Sequence, residues 1–96
     1  MPSIFISGSG RRLGSILAIE FANKGWDIAI HYNSSEERAN ATAKEISSYG
    51  VKTIKVKADV RSESELKIAI NEAYQSLGGI DVLVNNAGIF PAMKSL

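Results

Sequence analysis

The stretch Ile4-Phe5-Ile6-Ser7-Gly8-Ser9-Gly10-Arg11-Arg12-Leu13-Gly14 decides how the rest of the chain is read, because an apolar segment passes through a glycine-rich turn into an amphipathic one. Ser3 to Ser7 has the length and the Ile/Phe content of a strand. Leu13, Ile16, Leu17 and Phe21 then recur at helical spacing, which predicts a helix from Arg11 to Asn23 with these four on its buried face and Gly25 as its stop. Strand, glycine turn and helix in this order bring unpaired backbone N–H groups and the positive end of a helix dipole together, where a pyrophosphate binds favourably. A strict G-x-G-x-x-G pattern needs glycine at Leu13, and the chain places it one residue later, at Gly14. Taken alone, the loop also reads as a plain strand-to-helix turn. No G-x-x-x-x-G-K-S/T occurs, so a P-loop is excluded.

The alternation continues along the chain. Asp27 to Tyr32, Lys52 to Lys57 and Ile80 to Asn85 are further short apolar runs that read as strands. A second helix is predicted from Ser34, capped by its hydroxyl with Glu37 reaching back, to near Gly50, with Ala39, Ala43 and Ile46 inward. A third starts at Ser62 with Glu65 as reciprocal partner, carries Leu66, Ile70, Ala73 and Leu77, and stops at Gly78-Gly79. Strands alternating with helices indicate an α/β fold in three layers, built on a parallel sheet of strand order 3-2-1-4. Val51 to Lys57 alternates apolar with polar and basic residues, as a half-exposed edge strand does. Ile80, Val82, Leu83 and Val84 form a near-continuous apolar run, as expected of a strand covered on both faces and flanked by a fifth strand that these residues do not supply.

At 96 residues the chain accommodates one domain, and 45% hydrophobic with 22% charged residues is ordinary globular composition. Eleven basic against ten acidic residues leave a net charge of +1, which provides no electrostatic footprint for nucleic acid or an anionic membrane. With no cysteine and a single histidine, disulfides, thiolate chemistry and a Cys/His zinc site are excluded. Met1-Pro2-Ser3-Ile4 has no basic leader and no long apolar stretch, so a cytoplasmic location is expected.

An acidic residue at the end of the second strand would hold the adenosine ribose hydroxyls of NAD. Asp27 lies about 20 residues after the loop, but at the wrong end of that strand, and reads as a surface residue leading into it. The end that matters is His31-Tyr32-Asn33-Ser34-Ser35, with no carboxylate before Glu36. A 2'-phosphate meets no repulsion there. Arg11 and Arg12 can add a guanidinium, and one charge-assisted bond of about 1.5 to 3 kcal/mol corresponds to roughly 10- to 150-fold. NADP is therefore expected ahead of NAD.

These residues resemble the short-chain dehydrogenase/reductase family. Its cofactor loop is usually TGxxxGxG, and Ser7 to Gly14 matches with Ser for Thr and with Arg12 at the middle glycine. Arg12-Leu13-Gly14 together with His31-Tyr32 is similar to the pteridine-reductase branch, while His31-Tyr32-Asn33-Ser34-Ser35 also resembles 3-oxoacyl-carrier-protein reductases. Asp59-Val60 after the third strand resembles the family's adenine-contacting pair, and Asn85-Asn86-Ala87-Gly88 its NNAG motif. The resemblance implies a truncated Rossmann-type NAD(P)-binding half-domain spanning 1–96. It places Gly8, Arg11, Arg12, Leu13 and Gly14 along the pyrophosphate and phosphate side, and Tyr32, Asn33, Ser34 and Ser35 around the 2'-phosphate. Asp59, with Val60 beside it, would accept from the adenine amino group, and Asn86, Ala87 and Gly88 would pack on the adenosine ribose. Phe90 falls where pteridine reductases stack a ring on the pterin, but a Phe two residues past a loop glycine is more often simple packing.

The family's chemistry uses a Tyr with a Lys four residues on, plus a Ser on the substrate carbonyl. Here Tyr32, Tyr49 and Tyr74 are followed four on by Glu36, Thr53 and Gly78. The lone His31 falls within a strand and the Glu36-Glu37 pair at a helix start, both structural places. Two functions stay open. One is the cofactor-binding part of an NADP-dependent oxidoreductase whose catalytic half lies elsewhere, inactive as this chain alone. The other is a non-catalytic NADP-binding or self-associating module. A homo-oligomer is expected, formed through the exposed fourth strand or through the second half that these residues do not supply.

Overall fold

In the computed structural model, which describes residues 2–8 and 12–84 and only the backbone of Arg12, every predicted strand and helix forms. The order is β1 (Ser3–Ile6), α1 (Arg12–Asn23), β2 (Asp27–Tyr32), α2 (Glu36–Ser47), β3 (Thr53–Lys57), α3 (Glu63–Leu77) and β4 (Val82–Val84). All strands run parallel in the order β3-β2-β1-β4, with Ile4 opposite Ile28 on one side and Val82 on the other.

The two-residue alternation of β1 and β2 divides the core into two layers. Phe5 and Ala29 face α3, where they pack with Val56, Leu66, Ala69 and Ala73. Ile4, Ile6, Ile28 and Ile30 face the opposite way, onto Ala18 and Ala22 of α1 and Ala39 and Ile46 of α2. The inner strands must be apolar at every position because both faces are covered.

Helix α1 corrects one expectation. Its sheet-facing residues are Gly14, Ala18 and Ala22, spaced four apart and all buried, whereas Leu13 is 61% and Ile16 is 51% exposed. Small side chains on this line let the helix backbone approach the sheet closely, and the larger Leu17, Ile19 and Phe21 pack on its flanks. Phe21 meets the Trp26 ring edge-on at 5.2 Å just after Gly25, whose φ of 88° ends the helix.

Helix α3 follows its signals closely. The Ser62 hydroxyl accepts from the Glu65 N–H at 3.3 Å, and Gly78 closes the helix in the left-handed conformation. The reciprocal bond is displaced: Glu65 Oε1 accepts from the N–H of Asp59 at 3.1 Å, because the Ser62 N–H already donates to the Asp59 carbonyl.

β3 is an edge strand, as its alternation predicts, with Lys55 and Lys57 exposed. β4 starts two residues later than expected, at Val82, and, among the described residues, pairs with β1 alone; its Val82 is 38% exposed. Asp27 is not at the surface but 5% exposed, and its carboxylate accepts the Lys52 N–H at 2.9 Å, tying the start of β2 to the chain entering β3. Asp81 does the same for β1, accepting the Ser3 N–H at 2.8 Å.

Candidate functional site

A parallel sheet in this order reverses direction of winding at β1, with β2 on one side and β4 on the other. The crevice at the carboxyl ends of the strands is where such folds bind ligands. The loop leaving β1 begins there. Gly8 takes φ of 70°, a conformation that side chains disfavour, and the Ser7 N–H just before it donates to the Val84 carbonyl at 2.9 Å.

The other anchor of the loop is a side chain. The Gly8 N–H donates to Nδ1 of His31 at 2.9 Å, and His31 Nε2 lies 2.7 Å from the Ala58 carbonyl. Since a carbonyl can only accept and the Gly8 amide can only donate, the imidazole is neutral with its proton on Nε2. Burial holds its pKa below the usual histidine range, with the Ala58 carbonyl pulling the other way. The Phe5 ring stacks on it at 5.9 Å. His31 lies within a strand, as expected, but its bond to Gly8 is not apparent from the residues alone. The available signal was an imidazole interrupting the apolar run Ile28-Ala29-Ile30.

β2 delivers the next group of residues. Tyr32 is half-buried, Asn33 and Ser34 are exposed, and Ser35 is half-buried. The expected cap by Ser34 with Glu37 does not form. Ser35 is the N-cap of α2, at φ −92° and ψ 56°, and its side chain makes no cap hydrogen bond. The backbone there is away from the extended geometry that lets an N-cap hydroxyl reach the first-turn amides. Ser34, Ser35, Glu36, Glu37, Arg38 and Ala41 line an open depression of about 650 Å³. The Tyr32 hydroxyl lies 3.4 Å from Glu36 Oε2, and burial, followed by the Glu36 charge, raises the phenol pKa.

β3 leads through Ala58 to Asp59 and Val60, both half-buried. Arg61 engages the Asp59 carboxylate on both oxygens: its N–H and Nε donate to Oδ1 at 2.9 and 3.1 Å, and Nη2 donates to Oδ2 at 2.9 Å. These bonds hold the Asp59 pKa below its ordinary value.

The structure thus brings Gly8, Tyr32, Asn33, Ser34, Ser35, Asp59 and Val60 to the strand ends. Gly14 is instead buried in α1 and Leu13 faces outward. Arg11, the Arg12 side chain, Asn86, Ala87, Gly88 and Phe90 lie outside the described residues. Among the described residues no cluster of His, Asp or Glu could hold a metal, and no helix is long and apolar enough to cross a membrane.

Three similarities bear on this arrangement. A 3-oxoacyl-acyl-carrier-protein reductase from Staphylococcus aureus is 38% identical over 87 residues, covering 91% of this chain and 35% of the relative. An alternative dihydrofolate reductase from Brucella suis, solved in complex with NADP, superposes with a TM-score of 0.83 at 30% identity, over 94% of this chain and 37% of that one. A Burkholderia cenocepacia protein solved with bound NADP gives a TM-score of 0.83 at 30% identity, over 88% and 33%. The chain therefore spans about a third of the length of the relatives it matches. The family model described as short chain dehydrogenase matches residues 2–96, and with the 3-2-1-4 sheet and the glycine loop at its switch point the chain belongs to the short-chain dehydrogenase/reductase family.

Proposed function

We propose that this chain is the NADP-binding part of a short-chain dehydrogenase/reductase, with the 2'-phosphate seated at the turn from β2 into α2. The observation that carries this reading is the start of α2. At this start the N-cap Ser35 makes no side-chain cap hydrogen bond, and Asn33 and Ser34 beside it carry exposed amide and hydroxyl donors. In α3 the same Ser-x-x-Glu spacing produces a bonded cap. A phosphate would satisfy those donors and favour the positive end of the helix dipole. The two relatives solved with NADP support the choice of cofactor.

Each remaining group has a place in this reading. The Gly8 turn would bring the chain backbone close to the pyrophosphate. Arg61 takes three of roughly four lone-pair directions on the Asp59 carboxylate, leaving one on Oδ2 for an adenine amino group. Glu36 and Glu37 oppose a phosphate, and Arg38 offsets part of their charge. NADPH supplies a hydride when bound, and the parent reaction is hydride exchange with a carbonyl or hydroxyl group. No Tyr-x-x-x-Lys occurs in these 96 residues, so turnover requires groups that they do not contain. A second copy paired along β4 would cover the exposed Val82, and sedimentation showing only monomer at high concentration would remove that proposal.

Titration calorimetry with NADP and NAD tests the reading. NADP should bind more tightly, and Glu36→Gln should widen the difference a few-fold by removing one carboxylate near the phosphate. Equal binding of the two cofactors, or a difference that narrows in Glu36→Gln, would show that α2 holds no 2'-phosphate.

A further inference from the structure

We propose that His31 is a positioning residue for the cofactor, fixing the start of the glycine turn at Gly8 by taking the Gly8 amide out of the ligand's reach. The proposal rests on the NADP reading above. One buried imidazole joins two segments, 23 residues back to Gly8 and 27 residues forward to Ala58. Those segments lead to the places argued to meet the pyrophosphate and the adenine.

The core itself does not call for a histidine. At this point the sheet face presents Phe5, Ala29 and Val56 to Leu66 of α3, and an apolar side chain would fill the space without the cost of burying two ring nitrogens. Both nitrogens are bonded, and each bond has a consequence. The bond from Nε2 to the Ala58 carbonyl selects the tautomer and leaves Nδ1 as an acceptor. The bond to Nδ1 then turns the Gly8 N–H inward, toward β2, in the left-handed conformation that only glycine adopts freely. A glycine loop is commonly read as a set of amides that all face the phosphate. Here the first of them is committed to the protein by this bond. Gly8, where the loop leaves β1, is therefore held by the protein itself, which lowers the ordering cost of binding at that residue.

His31→Phe keeps the volume and removes both bonds, while His31→Gln retains an amide oxygen for the Gly8 N–H and an amide N–H for the Ala58 carbonyl. Calorimetry uses two probes, NADP and adenosine 2'-monophosphate, which has the 2'-phosphate but no pyrophosphate. His31→Phe should weaken NADP about five- to tenfold, as expected for one lost hydrogen bond, and leave adenosine 2'-monophosphate nearly unchanged. His31→Gln should recover most of the loss. Equal weakening of both probes, or no weakening of NADP, overturns the proposal; a wild-type chain that binds neither overturns the cofactor reading instead. A ligand-free measurement on the wild-type chain covers the case in which His31→Phe does not fold. Nitrogen-15 spectra should show scalar coupling between the Gly8 amide nitrogen and His31 Nδ1, and its absence refutes the positioning bond directly.

Discussion

Replacing two serines that occupy equivalent places separates the structural from the ligand-binding helix start. Ser62 has the extended backbone of a working N-cap, φ −99° and ψ 109°, and accepts the Glu65 N–H at 3.3 Å. Ser62→Ala leaves that donor to water, at a cost of about 0.5 to 1 kcal/mol, the lower part of the usual range because the bond is long. For a domain of this size the cost corresponds to a fall of about 2 to 8 °C in Tm. Ser35 caps nothing with its side chain. Ser35→Ala should therefore change stability by less than about 0.5 kcal/mol. In the NADP reading the same substitution removes a hydroxyl bonded to a phosphate, worth roughly 1.5 to 3 kcal/mol, or about 10- to 150-fold in Kd. Thermal denaturation followed by circular dichroism and calorimetry with NADP measure the two quantities on the same preparations. The reasoning fails if Ser35→Ala lowers Tm as far as Ser62→Ala does, or if Ser62→Ala weakens NADP as much as Ser35→Ala.

Two further outcomes follow from the packing and the buried histidine. Ala18 is wholly buried between α1 and the sheet, so Ala18→Leu should destabilise by about 1 to 3 kcal/mol through overpacking, while Leu13→Ala and Ile16→Ala should stay within about 0.5 kcal/mol; urea midpoints decide this. His31 has a pKa below its ordinary 6.5, so below that pH the unfolded chain binds a proton that the folded chain resists. Stability should then be level above about pH 6.5 and fall as the pH drops below it, and His31→Gln should flatten this part of the profile; a profile identical in both proteins would contradict the neutral, Nε2-protonated ring.

Elements whose signals are local were legible in the residues, and the misjudged details are those set by contacts distant in sequence. The helical period of α1 is plain in Leu13, Ile16, Leu17 and Phe21, but period does not determine phase. The sheet selects Gly14, Ala18 and Ala22 because they permit close approach, and this leaves the bulkier Leu13 and Ile16 outside. Ser34 to Glu37 and Ser62 to Glu65 have the same pattern, yet only the second makes a cap. The difference lies in where each helix begins: Ser62 is itself the N-cap of α3, at ψ 109°, whereas α2 starts one residue after Ser34, with Ser35 as its N-cap at ψ 56°, which is set by how the chain leaves β2 rather than by the residue types. His31 announces itself as a polar interruption of an apolar strand, but its partners are named only by the parallel register, which sets it opposite Val56 and so beside Ala58. The same register explains why these features matter together. Parallel pairing aligns the carboxyl ends of all the strands, so the glycine turn, the start of α2 and the Asp59 turn, far apart in the chain, reach one end of the sheet, where His31 joins Gly8 to Ala58.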